Sequence, residues 1–287
     1  MMEKKAAAKQ STLVSVIVNL FLGSFQIIAG FFSGSQGLIA DGIHSLSDMV
    51  SDFVVLFANK HSSKDPDDDH HYGHQRYETA ASLFIGASLI AVGVGMIWNV
   101  GVKIIDPDVT QEIKIIALWI AISSLIVKEL LFQYMIYVAK KVRSSMLIAN
   151  SWHARSDAAS SLVVSIGIIG ALYGYTIFDS IAALIVGFMI IKMGWNFAWD
   201  ALSDLMDRSV SAEEDKKIND IILATPGVKG CHDLKTRKMG DMILVDVHIE
   251  VDSNMSVKQG HDIGVAARNA VMEKMPVLNV MTHIDPV

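Results

Sequence analysis

His44 and Asp48 stand four residues apart in the segment LIADGIHSLSDMVSDFVVL, Leu38 to Leu56, and His153 and Asp157 repeat the spacing in NSWHARSDAASS, Asn150 to Ser161. On a helix of 3.6 residues per turn, residues four apart share one face. An imidazole and a carboxylate one turn apart make half of a metal site. Two such halves facing each other supply four nitrogen and oxygen ligands, the tetrahedral set that zinc favours. The charges also balance, because a divalent cation, two carboxylates and two neutral imidazoles sum to zero, which reduces the cost of holding an ion in a low-dielectric interior. One isolated intramembrane histidine would read as a buried polar residue paired with a neighbour; two matched pairs read as a metal site. A ligating histidine must be neutral, so cation and protons compete for the same atoms, and antiport follows from that competition.

The elements that must position these residues are membrane spans. The 287 residues are 52% hydrophobic and 19% charged, below the ~25% charged content of ordinary soluble chains. Mean hydropathy is +0.40. A span needs ~20 apolar residues to cross ~30 Å of hydrocarbon. Six segments qualify, at about Leu13–Phe32, Leu38–Ala58, Ala80–Val102, Ile113–Val138, Met146–Leu172 and Ile177–Trp199. The second and fifth are the least apolar and carry the His-Asp pairs, so they should face the interior of the bundle. Lys4, Lys5 and Lys9, then Lys60, Lys64 and Arg76, then Lys140, Lys141 and Arg143 fall on one side, and the opposite loops hold little more than Lys103 and Lys114. By the positive-inside rule both termini are cytoplasmic, with a retained first span and no cleaved signal peptide.

After Asp207 the composition is that of a soluble domain, so the expected division is a membrane domain over 1–207 and a cytoplasmic domain over 208–287. The second begins with a helix after Ser211, whose first turn carries Glu213, Glu214 and Asp215. A strand at about Val228–Lys235, a turn at Lys238 to Asp241, an alternating strand through Ile243, Val245, Val247, Ile249 and Val251, a helix at about Val257–Lys274 and a strand at about Leu278–Ile284 give the order αββαβ. One sheet covered by two helices is the economical packing.

Two further clusters could bind cations. The loop KDPDDDHHYGHQRYE places Asp67, Asp68, Asp69, His70, His71 and His74 within eight residues, a cytoplasmic capture site or a solvated acidic loop. In the tail, His232, His248, His261 and His283 accompany Asp285, and His283 and Asp285 share a strand face. Cys231 reads as a buried thiol and, as the single cysteine, forms no internal disulfide. Asp41 and Asp52 flank the His44–Asp48 pair as steps in a cation path, as partners of the ligands, or as carboxylates satisfied locally. Lys128 and Glu129 point in different directions and take no assigned role. A net charge of −6 argues against a nucleic-acid partner. The absence of HExxH and of an open metal position argues against an enzyme.

LIADGIHSLSD, HARSDAASS, DDDHHYGHQRYE and the DLMDR ending of the sixth span together resemble the cation diffusion facilitator family of divalent-metal/proton antiporters, including its bacterial zinc and ferrous-iron efflux members. The resemblance covers nearly the whole chain. It implies an α-helical membrane protein of six transmembrane helices with a C-terminal cytoplasmic ferredoxin-like α+β domain. It also implies a homodimer in the lipid bilayer of the cell's inner (plasma) membrane, alternating between inward- and outward-facing states with protons as counter-ion. It makes His44, Asp48, His153 and Asp157 the transport site, Asp67, His70 and His74 a loop site, and His232, His248, His261, His283 and Asp285 the tail sites that strengthen dimerisation. Arg76 and Asp207 correspond to a charged interlock between spans three and six, here with Arg as the cation. Several bacterial members carry Asp in place of His44, and manganese members carry Asp in place of His153, so the resemblance favours Zn2+ as transported and regulatory ion, with Cd2+, Fe2+ and Mn2+ as alternatives.

Overall fold

The computed structural model describes residues 2–62, 64–105, 112–141 and 145–287, without the side chains of 2–9, 11–12, 51–52, 55–60, 145–147, 149–150 and 153. Six long helices come first: α1 (Met2–Ser33), α2 (Gln36–Ser62), α3 (Arg76–Ile105), α4 (Ile115–Lys141), α5 (Ser145–Leu172) and α6 (Ile177–Leu205). Over the described residues, all but α2 contain a stretch long and apolar enough to cross a membrane. Phe21, Trp98, Trp119 and Phe188 are more than half exposed on α1, α3, α4 and α6, which suits contact with lipid and not with water. The protein is an α-helical membrane protein carrying a small C-terminal sheet domain.

By packing, the chain divides into a unit of residues 1–53 and 86–195 and a unit of residues 54–85 and 196–287. In the first, α4 packs against α5, and Leu131, Met135 and Ala154 form a buried cluster against Val14, Val18 and Tyr134. Helices α1 and α2 approach through glycines: a Cβ on Gly42 would come within 2.8 Å of the Gly23 carbonyl oxygen, so only hydrogen fits there. Helix α2 is started by a residue far along the chain. The backbone N–H of Gln36 donates to Asp179 on α6 at 2.6 Å, as does the Ser35 hydroxyl, and the N–H of Leu38 donates to Ser35 Oγ at 3.1 Å. Asp179 thus satisfies orphan donors at the positive end of the helix that carries His44.

The second unit contains α7 (Ala212–Leu223), β1 (Gly230–Met239), β2 (Met242–Val251), α8 (Val257–Lys274) and β3 (Val277–Pro286). Both helices start with complete capping boxes, Ser211 with Glu214 and Ser256 with Gln259. The sheet order is β1-β2-β3, antiparallel then parallel, and the two helices cover one face, giving the ferredoxin-like αββαβ layer. Val245, Val247, Ile249 and Val251 of β2 join Ile218 and Ile222 of α7 and Ala267 and Val271 of α8 in its core. Strand β1 runs to Met239, beyond the Lys235 expected from the sequence. Met239 pairs with Met242 around a two-residue turn in which Gly240 has φ 61°, so Lys238 belongs to the ladder and not to the turn.

Candidate metal centres

In the first unit, His44 lies between two carboxylates. Its Nδ1 is 3.7 Å from Oδ2 of Asp48, one turn along α2, and its Nε2 is 3.7 Å from Oδ1 of Asp157 on α5. The three offer ligand atoms all within 4.8 Å of one another, and His44 is only 4% exposed. Imidazole and carboxylates at this separation leave space for a cation to be coordinated by all three after small rotamer shifts. His153 occurs on α5 four residues before Asp157, and its side chain lies outside the described residues. The side chain of Asp52 lies outside them as well.

Asp41 proves to be engaged elsewhere. It is fully buried, and its two oxygens accept from four donors: Lys128 Nζ at 3.0 Å and Ser160 Oγ at 2.8 Å on Oδ1, Gln26 Nε2 at 2.5 Å and Ser161 Oγ at 2.5 Å on Oδ2. With Lys128, Gln26 and Ser161 donating to it and Ser160 able to add a fourth bond, Asp41 is committed to protein donors and not turned toward a cargo ion. Lys128, 1% exposed, is the counter-ion, whereas Glu129 on the next position faces outward and accepts from Gln133.

In the second unit the loop before α3 gathers Asp67, His70 and His74, again with ligand atoms within 4.8 Å. Nδ1 of His70 lies 3.2 Å from Asp67 Oδ1, and Nε2 of His74 lies 3.3 Å from Asp67 Oδ2. Slight desolvation would raise the Asp67 pKa, but the backbone N–H and ring of His70, with His74 beside them, outweigh it and hold the carboxyl below its ordinary value. His74 is buried, with its Nε2 toward Asp67, and its Nδ1 has no hydrogen-bond partner among the described residues. The loop also lines a 640 Å³ cavity with Arg76, Tyr77, Arg237 and Met239. Asp68, Asp69 and His71 are exposed and stand outside the three-residue cluster.

The tail cluster is a product of register. His232, His248 and His283 are cross-strand partners on β1, β2 and β3, so their rings stack in a row, with centroids 5.1 and 4.6 Å apart. Asp285 lies among them: its Oδ2 is 2.9 Å from His248 Nδ1 and 3.2 Å from His232 Nε2, and its Oδ1 is 3.3 Å from His283 Nε2. The hydrogen bond from His248 comes first among the causes that keep the Asp285 carboxyl below its ordinary range. Glu250, paired with Asp285 in register, reaches His232 at 3.9 Å and was not among the residues expected here. The alternation of β2 already put Glu250 on the face of His248. His261 is exposed on α8 and is not brought into the three-residue cluster of His232, His248 and Asp285. Cys231 is half-buried, donates to Asn219 Oδ1 at 2.6 Å, and has its thiol pKa raised by burial and by Glu250.

Arg76 and Asp207 meet, with Nη2 2.6 Å from Oδ1, and Arg76 also points its Nε at Met239 Sδ at 3.2 Å. Asp207 occupies the left-handed region at φ 59° just after α6. The N–H of Arg208 donates to Ser203 O and that of Asp207 to Asp204 O, the paired bonds that close a helix end where glycine is usual. An aspartate tolerates that conformation better than most side chains, and here its carboxylate is turned toward Arg76.

Residues 12–206 match the family described as the cation efflux transmembrane domain, and residues 210–287 match the cation efflux protein cytoplasmic domain. An uncharacterized transporter of Methanocaldococcus jannaschii is 37% identical over 95% of this chain and 96% of its own. Metal tolerance protein C1 of Arabidopsis thaliana is 33% identical over 95% of this chain and 61% of its own. The manganese efflux system protein MneP of Bacillus subtilis is 30% identical over 99% of this chain and 98% of its own.

Proposed function

The chain belongs to the cation efflux family, the cation diffusion facilitators, and we propose that within it this protein exports zinc from the cytoplasm in exchange for protons. That it is a multi-pass membrane transporter of divalent metal cations, and not an enzyme, follows from the family. The site of transport is His44 and Asp48 on α2 with His153 and Asp157 on α5. The observation that carries the reading is the place of His44, whose two ring nitrogens each face a carboxylate, one on its own helix and one on α5. A cation entering between them exchanges water for imidazole and carboxylate ligands. Protonation of the imidazoles removes the lone pairs that bind it, so arrival of protons and release of metal are coupled. Zinc is favoured because two imidazoles and two carboxylates form a small, four-ligand, borderline-soft set.

Around this site the protein works as a homodimer in the cell's inner (plasma) membrane with both termini cytoplasmic. The Asp67–His70–His74 loop captures cation on the cytoplasmic side. The tail cluster of His232, His248, His283 and Asp285 binds zinc as a regulatory ion that strengthens dimerisation. His261, exposed on α8 away from the three-residue cluster of its own chain, serves a tail site only if a second chain brings ligands to it. Arg76 and Asp207 tie the start of α3 to the end of α6.

The test is flux into proteoliposomes under an imposed proton gradient, followed with internal metal and pH indicators. Zinc uptake that alkalinises the lumen in step with the metal, as protons leave in exchange, and that His153→Ala and Asp157→Ala abolish, is the expected result; acidification in step with uptake would refute antiport. Intact flux in those variants would refute the site. Manganese is the second reading, favoured by the similarity to the manganese efflux system protein MneP. Competition at matched free-metal concentrations decides between them, and preferred manganese flux would overturn zinc.

A further inference from the structure

The buried ammonium of Lys128 and the carboxylate of Asp41 have no part in the transport chemistry described so far, yet they sit one turn from it. On α2, Asp41 precedes His44 by three residues, and on α5, Ser160 and Ser161 follow Asp157 by three and four. Placing two full charges in such an interior costs several kcal/mol per ion before their attraction and hydrogen bonds are counted. A fold can carry that cost only with the partners held in fixed places, and here they come from four helices: Gln26 on α1, Asp41 on α2, Lys128 on α4, Ser160 and Ser161 on α5. The cluster is therefore a rigid polar junction of four helices.

Lys128 does more than neutralise Asp41. Its Nζ also reaches the backbone carbonyl of Asp157 at 3.4 Å, the residue whose side chain faces His44. The Ser160 hydroxyl lies 2.7 Å from that same carbonyl and 2.8 Å from Asp41 Oδ1. A hydroxyl has one proton and can serve only one acceptor at a time. Lys128 supplies donors to both acceptors, so neither the carbonyl nor the carboxylate is left unmatched whichever way the hydroxyl turns. The α5 backbone at Asp157 is thereby tied to Asp41 on α2 through the ammonium on α4.

We propose that Lys128 is a positioning residue of the transport site: anchored on Asp41, it holds the α5 backbone at Asp157 and so sets the α2–α5 separation that decides which divalent cation fits. The inference rests on the reading of His44, Asp48 and Asp157 as cargo ligands. It assigns Asp41 to the junction and excludes it from the ligand set. Metal sites of similar chemistry are discriminated by cavity geometry more than by raw affinity, so a residue that fixes the distance between the two halves governs selectivity. Groups that orient metal ligands without touching the ion change metal affinity by about 10- to 100-fold when removed.

The experiment uses the full chain in proteoliposomes, with zinc and manganese flux measured per folded transporter. Lys128→Gln alone strands the Asp41 charge and could lower the yield of folded protein. The double variant Asp41→Asn with Lys128→Gln removes both charges and keeps hydrogen-bonding side chains. In that variant the KM for zinc is expected to rise about tenfold and the zinc-over-manganese flux ratio to fall by a similar factor. Lys128→Arg, which keeps the charge and moves the donors, shifts the same ratio in a protein that retains its ion pair. A KM and a ratio equal to wild type in both variants, whatever the yield, would reduce Lys128 to a structural residue and overturn the proposal. Asp157→Ala in the same assay separates this from the underlying reading: undiminished flux there refutes the transport site itself.

Discussion

Nε2 of His44 on α2 and Oδ1 of Asp157 on α5 stand 3.7 Å apart, too far for a hydrogen bond and close enough to share one cation. The pair links the two helices that carry the halves of the proposed site. His44→Ala and Asp157→Ala should each lower metal flux at least about tenfold at subsaturating metal, because each deletes one of the proposed ligands. His44→Asp keeps a ligand but replaces a nitrogen by an oxygen. It is expected to raise manganese flux relative to zinc, read as the ratio of initial rates.

A cation held by the proposed loop site should be separable from transport. His74→Ala should remove one bound metal ion per chain in isothermal titration of the detergent-solubilised protein, since it deletes the buried ring of the Asp67–His70–His74 cluster. An unchanged stoichiometry would show that the loop holds no ion.

In the tail, Asp285 lies within 3.3 Å of a ring nitrogen of each of three histidines. Zinc addition is expected to raise the melting temperature of wild type, because binding to the folded state alone stabilises it by mass action, and Asp285→Ala is expected to abolish that rise. His261→Ala should leave the zinc-induced shift intact when the protein is diluted below its dimerisation range. Loss of the shift at that dilution would place His261 in a site within one chain.

Acid should weaken the C-terminal domain through a different carboxylate. Asp252 accepts from the N–H and amide of Asn254 and from Lys229, and its pKa is lowered from 3.8 to about 2, the backbone bond from Asn254 leading. A folded-state pKa below the unfolded one means the added stability is whole above the unfolded value and disappears as the pH falls through the folded one. The melting temperatures of wild type and Asp252→Asn should therefore differ by a constant amount above about pH 5 and converge as the pH falls from about 4 toward 2. A difference that persists to the lowest pH would contradict this.

The Arg76–Asp207 pair is about half exposed on both sides, so as a static contact it contributes less than about 1 kcal/mol. Asp207→Gly also relieves the left-handed backbone at φ 59°. It should leave thermal stability nearly unchanged, and if the pair acts as an interlock, flux should still fall. Wild-type flux in Asp207→Gly would remove the interlock from the mechanism.

What could be seen in the sequence follows from what leaves a local pattern. The His44–Asp48 pair was legible because four-residue spacing on a helix is local, and the loop triad because its members lie within eight residues. The alternation of β2 put His248 on a polar face, but the ladder that aligns it with His232 and His283 is set by pairing register, which the sequence fixes only through the turn at Gly240 and the return after α8. Lys128 and Asp41 were each visible as a charge in an apolar run, and neither showed its partner, 87 positions away with no periodicity joining them. Asp179 at the start of α2 was hidden for the same reason, with 143 positions between cap and helix. His261 was grouped with the tail cluster by the density of histidines in the tail and then by resemblance, whereas the described fold leaves it on α8 outside the three-residue cluster.

The span between Asp41 and Lys128 also orders the protein's birth. Helix α2 leaves the ribosome with Asp41, His44 and Asp48 in it, each aspartate costing on the order of 3 kcal/mol at mid-membrane by translocon partitioning. The ammonium that neutralises Asp41 is synthesised 87 residues later, a delay of roughly 5 to 15 s at cellular elongation rates. Until α4 enters, α2 must stay sheltered beside α1 or in the translocon. Nascent chains arrested before Lys128 should insert α2 less completely than chains arrested after α5, as read by glycosylation mapping of the flanking loops. Equal insertion at both arrest points would mean that α2 is secured without its counter-ion.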